Sequence, residues 1–345
     1  MLLFVPITII AKYIGVAPAF VFFLSALAIV PLAKYIGEAT EELAGRTNPG
    51  LGGFLNATFG NATEIIISLF ALNAGLVEVV KASITGSIIG NILFVLGMAI
   101  FFGGLKHSKQ TFSATAAKAA GSTLLLAVIA LVIPAIFSIT STAAGSRTML
   151  ATTETLSIIV SVIMIVAYVA NLFFTLRTHK HLYDTEVEKY EPKWSVGKSI
   201  IILLASTAVV AWMSEILVGS IEPLVHTWGW TELFIGVILI AIIGNAAEHA
   251  SAVTVAIKNR MDLALQISIG SAIQIAMFAA PLLVLVSLFF PTHMGLVFNT
   301  FELVAIIFSV FIANSVAEDG ESNWFEGVQL LAAYAIIAVA FFFHP

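Results

Sequence analysis

The sequence contains no cysteine and few charged residues. Of its 345 residues, 10% are charged and 60% are hydrophobic, whereas about 25% of the residues in a soluble domain are charged. The missing cysteines exclude disulfides, thiolate metal sites and a cysteine nucleophile. The 15 basic residues and the net charge of −5 leave no basic surface for nucleic acid. The apolar excess argues against a soluble enzyme and against a disordered chain, and it predicts an integral protein of the lipid bilayer.

Long apolar runs predict the transmembrane helices. A span needs about 20 mostly apolar residues, and breaks at glycine, proline and charged residues separate eleven such runs. Their approximate limits are 2–14, 17–37, 51–73, 77–103, 117–138, 154–177, 196–221, 231–257, 262–290, 299–316 and 325–343. The sequence therefore predicts an all-α polytopic membrane protein with eleven transmembrane helices.

The basic residues are distributed unevenly between alternating loops. Twelve of the 15 Lys and Arg residues fall on one face, while Lys12, Lys81 and Arg147 fall on the other. Cytoplasmic loops are enriched in basic residues, so the first face is predicted to be cytoplasmic. We expect a multi-pass protein of the cell membrane, with its N-terminus in the cytoplasm and its C-terminus outside.

A five-residue motif occurs twice, 184 residues apart. Gly60-Asn61-Ala62-Thr63-Glu64 returns as Gly244-Asn245-Ala246-Ala247-Glu248, and the same offset relates Gly86-Ser87 to Gly270-Ser271. Each copy holds five predicted spans, and this odd number makes the second copy enter the membrane from the opposite side. We therefore expect two inverted repeats, as in secondary transporters. The predicted segments are a short leading helix at 1–16, a first repeat at 17–177, a cytoplasmic linker at 178–195 and a second repeat at 196–345.

The predicted linker carries four acidic residues, Asp184, Glu186, Glu188 and Glu191. A solvated loop or a short surface helix accounts for them. A calcium-sensing role is the alternative interpretation.

Two glutamates lie deep inside predicted spans. Glu64 is 13 residues into span 51–73, and Glu248 is 17 residues into span 231–257. Most other carboxylates, including Glu42 and Glu302, fall near predicted helix ends, where we expect water to reach them. A charge at midplane depth is costly and marks a functional site by default. Under the repeat symmetry, Glu64 and Glu248 are expected to approach one another. The alternative is that each is a protonated group bonded to a neighbouring helix.

Neutral oxygen donors accompany the two glutamates. Asn61 and Asn245 each precede a glutamate by three residues and so share its helix face. The following spans contribute further candidates for the lining of the ion path, namely Ser87 and Asn91 in the first copy and Ser271 and Gln274 in the second. Ligands that are all oxygen favour a hard cation such as Ca²⁺. No cofactor is expected besides the transported ions.

Other polar residues have weaker functional interpretations. His249 directly follows Glu248, and adjacent helical residues point about 100° apart, so we expect it to line the cavity wall rather than bind the ion. Packing and proton relay are both open for it. Glu318, Asp319 and Glu321 form an acidic cluster in a predicted cytoplasmic loop. They fit either a solvated turn or a surface that recruits cations.

The two deep carboxylates suggest a mechanism. Two such groups facing one another cannot both stay ionised and empty, so either protons or one divalent cation must neutralise them. Occupancy is then mutually exclusive, and this is what an exchanger requires. The alternatives are an exchanger of another cation, coupled to Na⁺, K⁺ or Mn²⁺, and a passive cation channel. An intramembrane enzyme lacks a visible nucleophile and base, so we predict that the protein is not an enzyme.

Both motifs resemble those of the cation/proton exchangers (CAX) of the calcium/cation antiporter superfamily. The likeness extends from Gly60–Glu64 to Gly244–His249 and on through Lys258-Asn259-Arg260-Met261-Asp262. The resemblance implies an eleven-helix fold, Ca²⁺/H⁺ antiport, and Glu64 and Glu248 as the exchanging carboxylates. Sodium-coupled relatives usually carry a second acidic residue near the position of Ile275, so this chain is expected to use protons. Assembly into a homo-oligomer is left open.

Overall fold

The computed structural model describes residues 2–47, 49–142, 149–179 and 192–344. Nearly all of this chain is helical, as its apolar composition predicts. The α-helices are α1 (Phe4–Tyr13), α2 (Pro18–Ala44), α3 (Pro49–Phe59), α4 (Ala62–Asn73), α5 (Val77–Ile89), α6 (Leu96–Lys106), α7 (Ala114–Thr142), α8 (Met149–Phe173), α9 (Val196–Val218), α10 (Ile221–Trp228), α11 (Glu232–Phe234), α12 (Ala241–Gly244), α13 (Ala246–Ile257), α14 (Met261–Gln274), α15 (Ala280–Ser287), α16 (Thr300–Val316) and α17 (Trp324–Phe343).

Four π-helical segments and one pair of short antiparallel strands complete the secondary structure of the described residues. The π-helical segments are Gly90–Val95, Phe174–Thr178, Ile235–Ile240 and Ile275–Ala279. The strands β1 (Gln110–Thr111) and β2 (Glu321–Ser322) pair antiparallel, with Gln110 opposite Ser322.

The helices confirm a polytopic membrane-type fold. Among the described residues, seven helical runs are long and apolar enough to cross a membrane, or eight if one bent pair counts as a single span. Three further apolar helices are shorter, namely Phe4–Tyr13, Ala62–Asn73 and Thr300–Val316. Each of the eleven predicted runs therefore contains helix, but predicted span 51–73 is divided between α3 and α4. The number of eleven spans stays a prediction.

The chain divides into two compact units. The first comprises Met1–Ser83, Leu172–Ala247 and Ala340–Pro345, and the second comprises Ile84–Asn171 and Glu248–Val339. Each unit takes segments from both halves of the sequence. The predicted segments 17–177 and 196–345 are repeats of the sequence, which need not coincide with compact units of the structure. This division into repeats stays a prediction.

In the first unit, α2 packs along α9, and α1 and α3 also pack on α2. The buried face of α2 includes Phe22, Ile29 and Ile36, which are spaced seven residues apart and are at most 1% exposed. This spacing places them on one side of the helix, so α2 buries an apolar stripe within the first unit.

In the second unit, α16 packs on α7, and α14 packs on both α6 and α7. Small residues allow α6 and α17 to approach closely. A Cβ on Gly104 would lie 2.5 Å from the nitrogen of Trp324, and a Cβ on Gly327 would lie 2.5 Å from the nitrogen of Phe101. Neither glycine tolerates a side chain, and such close backbone approach is typical of helix packing in membranes.

Several element boundaries recur at the 184-residue offset of the sequence motif. Helix α4 begins at Ala62 and α13 at Ala246, while α5 begins at Val77 and α14 at Met261. The first helices of the two halves differ, because α2 runs unbroken to Ala44 whereas α9 ends at Val218 and α10 follows. The agreement supports a duplication, and the inverted arrangement of its copies stays a prediction.

The predicted linker lies mostly outside the described residues, which omit 180–191. The last residues of the linker are hydrogen-bonded to the C-terminal end of α2 and the residues that follow it. Glu42 accepts hydrogen bonds from the backbone nitrogens of Lys193 (3.1 Å) and Trp194 (2.8 Å), and Arg46 donates to the carbonyls of Pro192 and Trp194. Glu42 is only 3% exposed. The expectation that water reaches it was wrong, because the returning chain covers its carboxylate.

Candidate cation-binding site

The first glutamate lies at a break between two helices. Helix α3 ends at Phe59 and α4 begins at Ala62, so Gly60 and Asn61 form the break. Glu64 follows in the first turn of α4. Asn61 is 1% exposed and Glu64 is 7% exposed. Both side chains are thus buried, and the positive end of the α4 dipole favours a carboxylate there.

Glu64 packs against the backbone of the second motif. A Cβ built on Gly244 would lie 2.9 Å from Cγ of Glu64 and 3.2 Å from its Oε1. Glycine at position 244 therefore leaves the space that the Glu64 side chain occupies. The structure brings a residue of the first motif onto a residue of the second within the first unit.

The second glutamate also follows a helix break. The helical run Glu232–Gly244 is bent by 60° relative to Ala246–Ile257. Asn245 occupies the bend, is 2% exposed, and donates a hydrogen bond of 2.8 Å from Nδ2 to the carbonyl of Ala241. Glu248 lies in the first turn of α13. In both motifs, therefore, the helix breaks at the glycine and asparagine that precede the glutamate.

Glu248 terminates a chain of side-chain hydrogen bonds in the second unit. Asn91 Nδ2 donates to Ser271 Oγ at 3.0 Å, and the Ser271 side chain hydrogen-bonds Glu248. Oε2 of Glu248 is buried and makes no hydrogen bond to any residue that the structure describes. One oxygen of this carboxylate is thus oriented by serine, while the other is available to a proton or a cation.

The remaining predicted lining residues have different environments. Ser87 is 2% exposed, and Gln274 is half-buried. The ring of His249 meets Phe94 edge-on with centroids 5.7 Å apart, and Phe94 in turn lies 5.0 Å from the ring of Tyr334. This contact gives His249 a packing role, and its place along the ion path stays a prediction.

The candidate residues offer oxygen from carboxylates, amides and hydroxyls. Within the described ranges, no group of three or more His, Asp or Glu residues could enclose a metal ion. Oxygen ligands of these kinds are the ones that hard cations such as Ca²⁺ prefer.

The acidic cluster of Glu318, Asp319 and Glu321 forms part of an ordered turn. Glu318 and Asp319 are exposed. Asp319 accepts a hydrogen bond from the backbone nitrogen of Glu321 (3.0 Å), and Glu321 pairs with Lys109 at 2.5 Å. These contacts favour the solvated-turn interpretation. Recruitment of cations by the cluster stays a prediction.

Sequence reasoning missed the environment of Glu302. We expected water to reach this residue at a helix end, but it is 1% exposed. Its Oε2 accepts a hydrogen bond from the nitrogen of Asn299 (2.8 Å), and its Oε1 accepts one from Thr85 Oγ1 (3.0 Å). The spacing of Asn299 and Glu302 is the signal of a capping box and could have predicted the first bond. Nothing local to either sequence segment indicates the second.

Together, the fold and the site define a polytopic helical membrane protein with a glutamate after each of two helix breaks. The sequence matches the family described as sodium/calcium exchanger protein over residues 17–177 and 198–343. The chain belongs to this family.

Its relatives support the resemblance inferred from the two motifs. The chain is 47% identical to a Ca²⁺/H⁺ antiporter of Synechocystis, covering 100% of this chain and 96% of that protein. It is 49% identical to the Ca²⁺/H⁺ antiporter ChaA of Bacillus subtilis, with 98% and 96% covered. The structure of native YfkE superposes with a TM-score of 0.86 at 45% identity and covers 99% of this chain and 97% of its own. The resemblance to cation/proton exchangers is thereby confirmed.

Proposed function

We propose that this protein exchanges Ca²⁺ for H⁺ across the membrane by alternating access, with Glu64 and Glu248 binding the two ions in turn. The observation that carries the proposal is the glutamate in the first turn after each helix break. Discontinuous helices are typical of ion sites in secondary transporters. The names of the relatives from Synechocystis and Bacillus subtilis agree with this activity.

The proposed coupling follows from charge neutralisation. A carboxylate removed from water is stable when it binds a proton or pairs with a cation. One Ca²⁺ neutralises two carboxylates, and protons do the same, so binding of one ion excludes the other. If the two access states interconvert only when the site is neutral, a proton gradient in one direction drives Ca²⁺ in the other.

The finer architecture is part of the same proposal. We infer eleven spans arranged as a leading helix and two inverted five-helix repeats, with the N-terminus cytoplasmic and the C-terminus outside the cell. The proposed ion path is lined by Asn61, Ser87, Asn91, Asn245, Ser271 and Gln274. Ser83 and Ser87 lie four residues apart on α5 and so near the same face, and both are at most 4% exposed, which supports a polar path along that face of the helix.

Transport by the purified protein in sealed liposomes tests the proposal. We expect an imposed pH gradient to drive radioactive Ca²⁺ uptake above equilibrium, also when choline replaces Na⁺, and an agent that collapses the pH gradient should stop it. Uptake that requires Na⁺ or K⁺ would indicate another exchanger, and flux that never exceeds equilibrium would indicate a channel.

The proposal also fixes the direction of the pH effect. Protons and Ca²⁺ compete for the same carboxylates, so acidifying the side from which Ca²⁺ binds should raise the KM for Ca²⁺. A KM that is independent of pH on that side would contradict the shared site.

A further inference from the structure

Within the second unit, a buried carboxylate outside the proposed ion path is joined to the helix that carries Ser87 and Asn91. We propose that Glu302 is a positioning residue for ion binding, because its bond to Thr85 fixes the rotation of α5 about its own axis. The inference rests on the proposed exchange function and adds a residue that neither motif contains.

The bond between Glu302 and Thr85 is fully enclosed. Thr85 is 0% exposed and Glu302 is 1% exposed, and Thr85 Oγ1 donates to Glu302 Oε1 at 3.0 Å. The other oxygen, Oε2, accepts from the backbone nitrogen of Asn299 at 2.8 Å. Both oxygens of the Glu302 carboxyl group are therefore hydrogen-bonded, one to α5 and one to the start of α16. A buried polar group that loses its partner is costly, so each bond holds its partner in place.

The capping of α16 does not explain why Glu302 also accepts a hydrogen bond from Thr85. In the capping box, the Asn299 side chain accepts from the backbone of Glu302, and Oε2 of Glu302 accepts from the backbone nitrogen of Asn299 at 2.8 Å. The Asn299 side chain also accepts from the nitrogen of Phe301 at 2.8 Å. Oε1 is not needed for this cap. It reaches instead across to α5, 217 residues away in sequence.

Helical geometry places this bond behind the ion path. Thr85 and Ser87 are two residues apart and therefore point about 200° away from one another around α5. Asn91 comes four residues after Ser87 and falls near the same face as Ser87. Glu302 thus holds the helix on the side opposite to the proposed lining residues.

A second hydrogen bond holds the same helical run on the side of the proposed lining residues. Asn91, in the π-helical segment Gly90–Val95, donates to Ser271 Oγ of α14 at 3.0 Å, and Ser271 in turn hydrogen-bonds Glu248. The π-helical segment also packs against both α16 and α14. The Thr85–Glu302 and Asn91–Ser271 bonds thus hold the run from opposite sides. Loss of the Thr85–Glu302 bond would let α5 rotate about its axis. This rotation would misplace Ser87, Asn91 and the Ser271–Glu248 bond.

A double-mutant cycle with Thr85→Val and Glu302→Met tests the inference. Thr85→Val keeps the side-chain shape and removes the hydroxyl, whereas Thr85→Ser keeps it, and Glu302→Met keeps the side-chain length and removes both carboxyl oxygens. We expect Thr85→Val and Glu302→Met each to raise the KM for Ca²⁺ about three- to tenfold, the effect usual for residues that act through a packed network. The maximum rate per folded protein should stay within about twofold, Thr85→Ser should match wild type, and the double variant should be no worse than the poorer single variant.

Thr40→Val is the matched control. Thr40 is equally buried at 2% exposed, but its hydroxyl bonds its own helix at the carbonyl of Ile36. It should alter thermal stability without altering the KM. A Thr85→Val protein with the KM of wild type would overturn the inference, and so would additive effects in the double variant.

These outcomes are separable from failure of the proposed function. A wild-type protein that shows no exchange contradicts the function, whereas wild-type exchange with an unchanged KM in Thr85→Val contradicts only the positioning role. The same cycle measured by thermal unfolding needs no transport at all. Lack of coupling between positions 85 and 302 in that measurement would also overturn the inference.

Discussion

The two helix breaks share a sequence motif but hold their glutamates differently. Glu64 is 7% exposed and packs against Gly244, while Glu248 is half-buried and is hydrogen-bonded by Ser271. The first carboxylate thus lies in close steric contact with the second motif, and the second carboxylate is hydrogen-bonded by a serine of the next helix. The steric contact and the hydrogen bond can each be removed separately.

The largest effect is expected when either carboxylate is neutralised. Glu64→Gln and Glu248→Gln preserve side-chain shape but remove the charge that binds Ca²⁺ and the group that takes up a proton. Each should reduce proton-driven Ca²⁺ uptake to below about 1% of wild type, because the lost group acts directly on the ion. Glu38→Gln, which affects a pair with Lys34 on α2, should keep full activity. Full transport by either variant would contradict the two-glutamate mechanism and would make the copies functionally unequal.

A methyl group at position 244 tests the steric constraint on Glu64. Gly244→Ala places a Cβ 2.9 Å from Cγ of Glu64, so the carboxylate must shift. We expect uptake to fall about tenfold or more, since displacements near 1 Å are costly at a reacting centre. Gly37→Ala in α2, where nothing lies within 4 Å of the added atom, is the control. Equal activity of the two variants would show that Glu64 is not confined by Gly244.

Removing a hydroxyl tests the hydrogen-bonded constraint on Glu248. Ser271→Ala deletes both the donor to Glu248 and the acceptor of Asn91. The KM for Ca²⁺ should rise about three- to tenfold, as expected for about 1 kcal/mol of lost orientation. Ser268→Ala on the same helix removes a hydroxyl that donates to the carbonyl of Ala264 at 2.8 Å, and its KM should equal that of wild type. Parallel changes in both variants would point to general destabilisation of α14.

The smallest effect is expected from making the two motifs identical. Thr63→Ala converts the first motif to the sequence of the second, at a residue that is 3% exposed. The lost packing should cost about 1 kcal/mol and lower the unfolding temperature by a few degrees, while transport stays within about twofold. A tenfold loss of transport would show that the asymmetry at position 63 has a functional purpose.

Features with a local sequence signal were predictable. The apolar runs located the helices, although predicted spans 51–73 and 231–257 are each divided at the motif. The carboxylates at these breaks stood out because charges are rare in the surrounding spans. Periodicity and composition suffice for such features, since both are properties of neighbouring residues.

Features that depend on distant segments were not predictable. Glu42 is buried because residues 193 and 194 return to it, and Glu302 is buried because Thr85 lies against it. Each carboxylate looked exposed when judged only by its position near the end of a helix. The π-helical segments were also missed, because nothing in the residues of Gly90–Val95 or Ile275–Ala279 distinguishes them from α-helix.

Those two π-helical segments lie at nearly the same place in both halves, since Gly90–Val95 transferred by the motif offset spans 274–279. A π-helix closes i→i+5 hydrogen bonds, and such turns inside α-helices are frequently found at functional sites. Asn91 lies inside the first segment, and Gln274 directly precedes the second. Each half therefore has an irregular turn next to one of its polar candidate residues.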